Sequence, residues 1–407
     1  MTQIELGWGS GPSETYEGLA ARFRPIFQRI GEGAVARELD RTLPHEPIQW
    51  LKDARFGAVR VPREHGGDGA SLPELFNLLI ELSAADSNVT QALRAHFGFA
   101  EDVVNARSAE RRQRWFPRLA GGEIAGNAWS EIGDAKQAAF STKVTRNGHG
   151  LVVNGAKFYT TGSLFADWID IGASGEDGAS LTAVVSRRAP GVEVVDDWDG
   201  FGQILTASGT STFTDVPVEE GDVIADEDRF KYSAAFYQLV HLATLAGIGR
   251  AASNDVAKAV AERRRTYTHA AGPRSSQDAQ VLQIVGRVRG AAYGAGAIVL
   301  KTAQALQRAF DARFAGDAAV EEAANAIAEL ETAQAQTVVS NLILDAVTLL
   351  FDALGASATR RSTSFDRHWR NARTLASHNP RIYKDRIVGD FAVNGTPPPY
   401  QWRIGQP

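Results

Sequence analysis

Cysteine is absent from all 407 residues. That excludes disulfides, thiolate zinc sites and iron–sulfur clusters at once. The sequence also lacks a P-loop, a Rossmann glycine fingerprint after a strand, an HExxH pair and a nucleophile elbow. Its eight histidines, at 45, 65, 96, 149, 241, 269, 368 and 378, show no metal-ligand spacing, so no metal is expected. No run of about 18 apolar residues stands out, and no transmembrane helix is expected. The first residues, MTQIELGWGSGPSETYEG, have neither a basic stretch nor an apolar core, so they do not read as a secretory signal and the cytoplasm is the expected location. Charge of either sign is not in excess: 43 Lys and Arg against 48 Asp and Glu give −5, no general pull toward nucleic acid or anionic membranes.

What is present falls into three stretches. Residues 1–122 read as helices joined by short loops, with Arg55 to Ala70 (RFGAVRVPREHGGDGA) a glycine- and proline-rich loop. Residues 123–228 change to period-two, β-branched runs such as KVTRN, GLVVNG, LTAVVSRR and STFTDVPV, punctuated by Gly, Asn and Asp turns that include Asn147-Gly148. From 229 to 407 the pattern is helical and alanine-rich. Long helices are expected near 230–266, 278–312 and 318–353, with a shorter one at 366–377. The expected fold class is α+β: helical domain, β domain, helical bundle.

The most informative segment is Phe365 to Lys384, FDRHWRNARTLASHNPRIYK. It holds four arginines, one lysine and two histidines against the single acid Asp366. Arg367, Arg370 and Arg373 share a helix face, and Pro380 ends the helix near Ser377. That leaves His378 on a terminal turn beside basic groups, a place for an anionic cofactor and a titrating side chain. Three further segments carry polar groups. Gly126-Asn127-Ala128-Trp129-Ser130-Glu131 offers amide and hydroxyl groups beside an indole, or is an ordinary strand end. Val153 to Ser163 (VNGAKFYTTGS) reads as a tight turn into a strand whose end presents Thr160, Thr161 and Ser163, either to a cofactor or as β-forming residues. His96, in LRAHFGF, is either a core histidine or a site residue. The basic run RRRTYTHAAGPR at 263–274 is a solvated face or a phosphate site.

Together these motifs, in this order along nearly the whole chain, resemble the acyl-CoA dehydrogenase superfamily: VPREHGGDGAS, NAWSEIGD, VNGAKFYTTGS, and LFDALGAS with DRHWRNAR. The resemblance implies a helical domain, a β-barrel-like domain and a four-helix bundle, usually assembled as a homotetramer around flavin. One departure matters. Dehydrogenases of the family commonly carry a glutamate soon after the basic helix, whereas Arg367 through Lys384 contains no carboxylate. Glu262 can be nominated as a displaced base, although nothing local supports it. The RNxRTxxxHxPxxYK pattern from Arg370 to Lys384 instead resembles the flavin monooxygenases on this fold, the dibenzothiophene monooxygenases and bacterial indole hydroxylases.

That closer resemblance implies a two-component monooxygenase. FAD or FMN, reduced by a separate flavin reductase, would react with O2 to a C4a-hydroperoxide and oxygenate an apolar aromatic heterocycle at carbon or sulfur. It places His96, His378 and Asn127 in catalysis. Thr161, Ser130 and Thr160 would contact the flavin, with Arg274 and Arg370 at its phosphate. Phe97, Trp129, Phe236 and Tyr237 would wall the pocket. Trp129 is bulkier than the resemblance leads one to expect. An acyl-CoA dehydrogenase, a nitrososynthase-like amine oxidiser and a nucleic-acid-binding module are the alternatives; overall acidity argues against the last.

Overall fold

The computed structural model describes residues 5–131 and 140–400. Seven helices come first: α1 (Tyr16–Glu32), α2 (Ala34–Asp40), α3 (His45–Asp53), α4 (Leu72–Ala85), α5 (Ser87–Ala92), α6 (Arg94–Asn105) and α7 (Ala109–Ala120). α4 starts at a full capping box: the Ser71 hydroxyl accepts from the Glu74 amide, and the Glu74 carboxylate accepts from the Ser71 amide. Its residues are apolar nearly all round, so it is buried on every side, between α1 and the bundle.

Eight strands follow: β1 (Ala125–Ala128), β2 (Lys143–Asn147), β3 (Gly150–Lys157), β4 (Trp168–Ser174), β5 (Ser180–Ser186), β6 (Val192–Val194), β7 (Ser211–Val218) and β8 (Val223–Ala225). They form one sheet in the order β6-β7-β3-β2-β4-β5-β8, with β1 parallel to β4. Val144, Val153, Ile171, Val185 and Val216 share one apolar cluster, so the sheet curls around its own core. The Asn147-Gly148 turn joins β2 to β3 as a hairpin. The turn expected at Asn154-Gly155 does not form. β3 runs straight through it with a bulge, because both flanks pair with β7. The strand also stops at Lys157, so Thr160 and Thr161 lie in a turn and not on a strand end.

The chain then enters α8 (Ser233–Glu262), α9 (Ala279–Arg313), α10 (Ala318–Leu354), α11 (Asp366–Ser377) and α12 (Lys384–Asn394). α8 lies at the centre, packed on α4, α9, α10 and α11, which is why residues 235–250 are almost wholly apolar or small. The segment from Ala318 to Thr359, containing α10, is long and apolar enough by length and composition to cross a membrane, contrary to the expectation of no such stretch. Here α10 packs against α8 and α9, where its apolar residues serve the bundle core.

Candidate active site

The site forms where α5 gives way to α6, beside β1 and the turn after β3. Gly162 makes this junction possible: its φ is 79°, and a Cβ there would lie 2.0 Å from the Ala92 carbonyl oxygen. Thr161 Oγ1 is 2.7 Å from Ser208 Oγ, which is 2.7 Å from Thr206 Oγ1; Thr206 in turn donates to the Gln203 carbonyl. The Gln203 amide donates to Asn371 Oδ1 on α11. A hydroxyl chain thus ties the turn to the bundle.

From β1 a second polar path runs into the helices. Asn127 pairs in register with Asp170 of β4. Asp170 accepts from Trp129 Nε1 at 3.3 Å and from Arg229 at 3.0 Å. The Arg229 guanidinium lies over the Trp129 ring and 3.4 Å from the Tyr237 hydroxyl. Burial opposes the charge on Arg229, but Asp170 and Asp102 outweigh it and raise its pKa. Arg94 stacks over the other side of this chain, its guanidinium 4.6 Å from the Tyr237 ring centre and its Nε donating to the Tyr237 carbonyl. Gly98 admits the ring, since a Cβ there would meet it at 2.2 Å.

Beyond Arg94 stand two imidazoles, His241 of α8 and His378 at the C-terminus of α11, with ring centres 4.2 Å apart. Burial and then Arg94 depress both pKa values, His378 to about 4 and His241 well below its usual range. His378 is exposed, so it can be reached from solvent. His378 Nδ1 lies 3.0 Å from Asn379 Oδ1, and Asn379 Nδ2 donates to Gln238 Oε1, which fixes the amide. Nδ1 is therefore the protonated nitrogen, and Nε2 is left as an acceptor.

Several buried polar atoms around this place lack a partner among the described residues: Asn127 Oδ1, Gln91 Oε1 and both ring nitrogens of His241. Interior polar atoms are rarely left so, and a planar ligand rich in amide and ring nitrogen would satisfy them. The donor set therefore fits a flavin. Trp129 and Tyr237, both half-buried, supply flat apolar walls.

Other expectations fare differently. His96 is fully buried, its Nε2 donating to the Gly57 carbonyl at 2.9 Å and its Nδ1 accepting from the Ala125 amide at 3.2 Å. With both nitrogens engaged by backbone, it has none for a reactant. Phe97 packs edge-on against Phe56, and Phe236 against Phe76 and Phe230; both are core residues, not pocket walls. Thr160 is spent on the Gly209 carbonyl and Ser211. Ser130 contributes a backbone bridge to Phe158 beside Trp129. Arg370 is held by Glu38, Asp366 and the Phe201 carbonyl, and Arg367 by Asp255, so the basic face of α11 is largely neutralised within the chain. Arg274 is exposed in the loop beyond α8. Ser275 Oγ donates to the Arg265 carbonyl, which keeps Arg274 near the end of α8, and that end at Glu262 lies roughly 32 Å along the axis from His241 at 1.5 Å per residue. A cleft of about 480 Å³ is lined by His45, Lys52, Asp167 and Arg187, and no expected site residue borders it.

Arg94, Asp170, Arg229 and His241 were not singled out from the sequence. Arg94 and His241 each sit in an apolar helical run, where an isolated polar residue was the available signal. Asp170 and Arg229 are brought together only by the fold.

Comparison with known proteins agrees with this architecture. Residues 14–123 match the acyl-CoA dehydrogenase N-terminal domain and residues 239–380 the acyl-CoA dehydrogenase C-terminal domain. Dibenzothiophene monooxygenase of Rhodococcus qingshengii is 27% identical over 410 residues, covering 95% of this chain and 94% of the relative. A probable FMNH2-dependent monooxygenase, SfnC of Pseudomonas putida, is 26% identical, covering 92% and 94%. Indole-bound TdsC of Paenibacillus sp. A11-2 superposes with a TM-score of 0.85 at 25% identity, covering 96% of this chain and all of that one. By fold and by both matched domains, the chain belongs to the acyl-CoA dehydrogenase family.

Proposed function

We propose that this chain is the oxygenase of a two-component flavin-dependent monooxygenase, receiving reduced FMN from a separate reductase in the cytoplasm. One observation carries the reading: the site holds amides and neutral imidazoles but no free carboxylate. Among the described residues its acids are Asp170, committed to Arg229, and Asp102, committed to Arg111. Glu262, the nominated displaced base, is exposed at the far end of α8. Abstraction of a proton from an acyl α-carbon needs a base within hydrogen-bond reach, and no free one stands there among the described residues. The likeness to dibenzothiophene monooxygenase and SfnC along nearly the full chain supports the same reading.

When bound, reduced flavin supplies two electrons to dioxygen, one oxygen atom entering the substrate and the other leaving as water. The chain's own residues do the rest. Asn127 presents a free amide at the end of β1, positioned to orient a flavin edge or oxygen. Thr161 donates or accepts through the hydroxyl chain behind it. The neutral His378 offers Nε2 to hold or pass a proton. Tyr237, Trp129 and Arg229 close the interior side against water.

Replacement of His378 by alanine should lower product formation by about 10²- to 10³-fold while flavin still binds; unchanged turnover would remove His378 from the mechanism. The class is tested directly by giving reduced FMN and oxygen with indole, dibenzothiophene and an acyl-CoA in parallel. An oxygenated product by mass supports the reading. Dye-coupled oxidation of the acyl-CoA with no oxygenation refutes it.

A further inference from the structure

Three buried arginines of this chain are matched by acids. Arg60 meets Glu101 at 2.8 Å, Arg111 meets Asp102 at 2.9 Å and Arg229 meets Asp170 at 3.0 Å. Arg94 is different. Its Nε is taken by the Tyr237 carbonyl and its face by the Tyr237 ring, but Nη1 and Nη2 have no protein acceptor among the described residues. No carboxylate pairs with it there. Burial lowers its pKa to about 10, which still leaves it charged at neutral pH. Arg94 is half-buried, so its unpaired guanidinium stays within reach of a ligand that would supply the missing counter-charge.

What surrounds Arg94 is suited to an oxyanion. His241, on the neighbouring helix, has both ring nitrogens unpartnered, so its one N–H is free to donate. His241 and His378 are held neutral, so they add donors without bringing an acid that would repel an anion. The guanidinium fork matches the two oxygens of a carboxylate or sulfinate, whereas a neutral hydrocarbon would leave it unsatisfied.

We propose that the substrate oxygenated at this site is a small organic anion whose carboxylate or sulfinate group is held by Arg94 and His241. The word substrate rests on the monooxygenase reading above; the anion site itself does not.

The test uses the full chain, with and without FMN, and three probes: indole, indole-3-carboxylate and methanesulfinate. Binding is followed by calorimetry, independently of turnover. One or both anions should bind about 10- to 100-fold more tightly than indole, the range of a charge-assisted contact, and the stronger anion names the head group. Arg94→Gln should abolish that preference while FMN affinity, read by flavin fluorescence, stays unchanged. Arg94→Lys should fold and retain part of the preference, which controls for a folding defect in the glutamine variant. Equal binding of indole and both anions by the wild type overturns the proposal. So does loss of FMN affinity in Arg94→Gln with anion preference intact, since Arg94 would then serve the flavin phosphate. Anion preference without any oxygenated product would instead count against the monooxygenase reading and leave the anion site standing.

Discussion

His96 shows how much one buried side chain can do without touching a reactant. Its two ring nitrogens join the Gly57 carbonyl near the end of α3 to the Ala125 amide of β1. It therefore pins the strand carrying Asn127 to the helical domain. Burial depresses its pKa to about 4, below the ordinary value near 6.5. The sign follows from linkage: above pH 6.5 it is neutral folded or unfolded and pH has no effect. Between 6.5 and 4 the unfolded chain binds the proton first, so stability falls as pH falls. The shift corresponds to about 3 kcal/mol. His96→Leu should lower stability at pH 7.5 by about 2–4 kcal/mol, because a buried donor and acceptor lose their partner. It should also flatten the fall between pH 6.5 and 4. Urea unfolding at both ends of that range checks this; an unchanged slope would show that His96 is not the titrating group.

At the scale of elements, the turn from Tyr159 to Ser163 joins three parts of the molecule. Its amide at Gly162 donates to the Thr206 carbonyl, its Cα lies on the end of α5, and Thr161 starts the hydroxyl chain toward α11. Gly162→Ala should push α5 away, since backbone rather than a flexible side chain blocks the Cβ, and φ of 79° adds strain. Loss of flavin affinity by at least about tenfold, with the far-UV helical signal retained, is the expected result; wild-type affinity would argue that the turn is not part of the site. This element also marks the limit of what the sequence discloses. Helix periods and Pro380 located α8 to α11 closely, because amphipathic spacing and a missing donor are local properties. Asn147-Gly148 announced its hairpin for the same reason. The bulge at Gly155 and the early end of β3 depend on pairing with β7, more than fifty residues away, which no local pattern encodes. Similarly, the helix end at His378 was legible from Pro380, whereas Arg229 acquires its partner Asp170 only across the fold. Phe97 and Phe236 were misread because an aromatic on a helix looks the same from either side of a pocket wall.

At the scale of the molecule, the outer face of the bundle is unfinished. On α9, Leu282, Gly286, Gly290 and Tyr293 follow one another at helical spacing. Leu282 and Tyr293 are about half exposed, and a Cβ at Gly286 or Gly290 would meet nothing within 4 Å. Val320, Ile327 and Val338 of α10 are also exposed. A flat helical face with glycines between apolar side chains invites close approach by another helix, and the described residues of a single chain supply none there. We propose further copies of this chain as the occupant, as the resemblance to a family that usually forms tetramers implies. Light scattering should give four times the 43.8 kDa chain mass. Gly290→Phe should divide that assembly without unfolding the chain. A Cβ added there meets no described atom within 4 Å, and leaving glycine raises helix propensity by roughly 0.5 kcal/mol. Circular dichroism would then stay native while the mass falls to half or a quarter. A wild-type chain that is monomeric at every concentration would refute the tetramer, and an intact tetramer in Gly290→Phe would place its interface on some other face. If the assembly does divide, flavin affinity measured on the variant decides whether the exposed Arg274, which no single chain brings to its own site, serves a neighbour's instead.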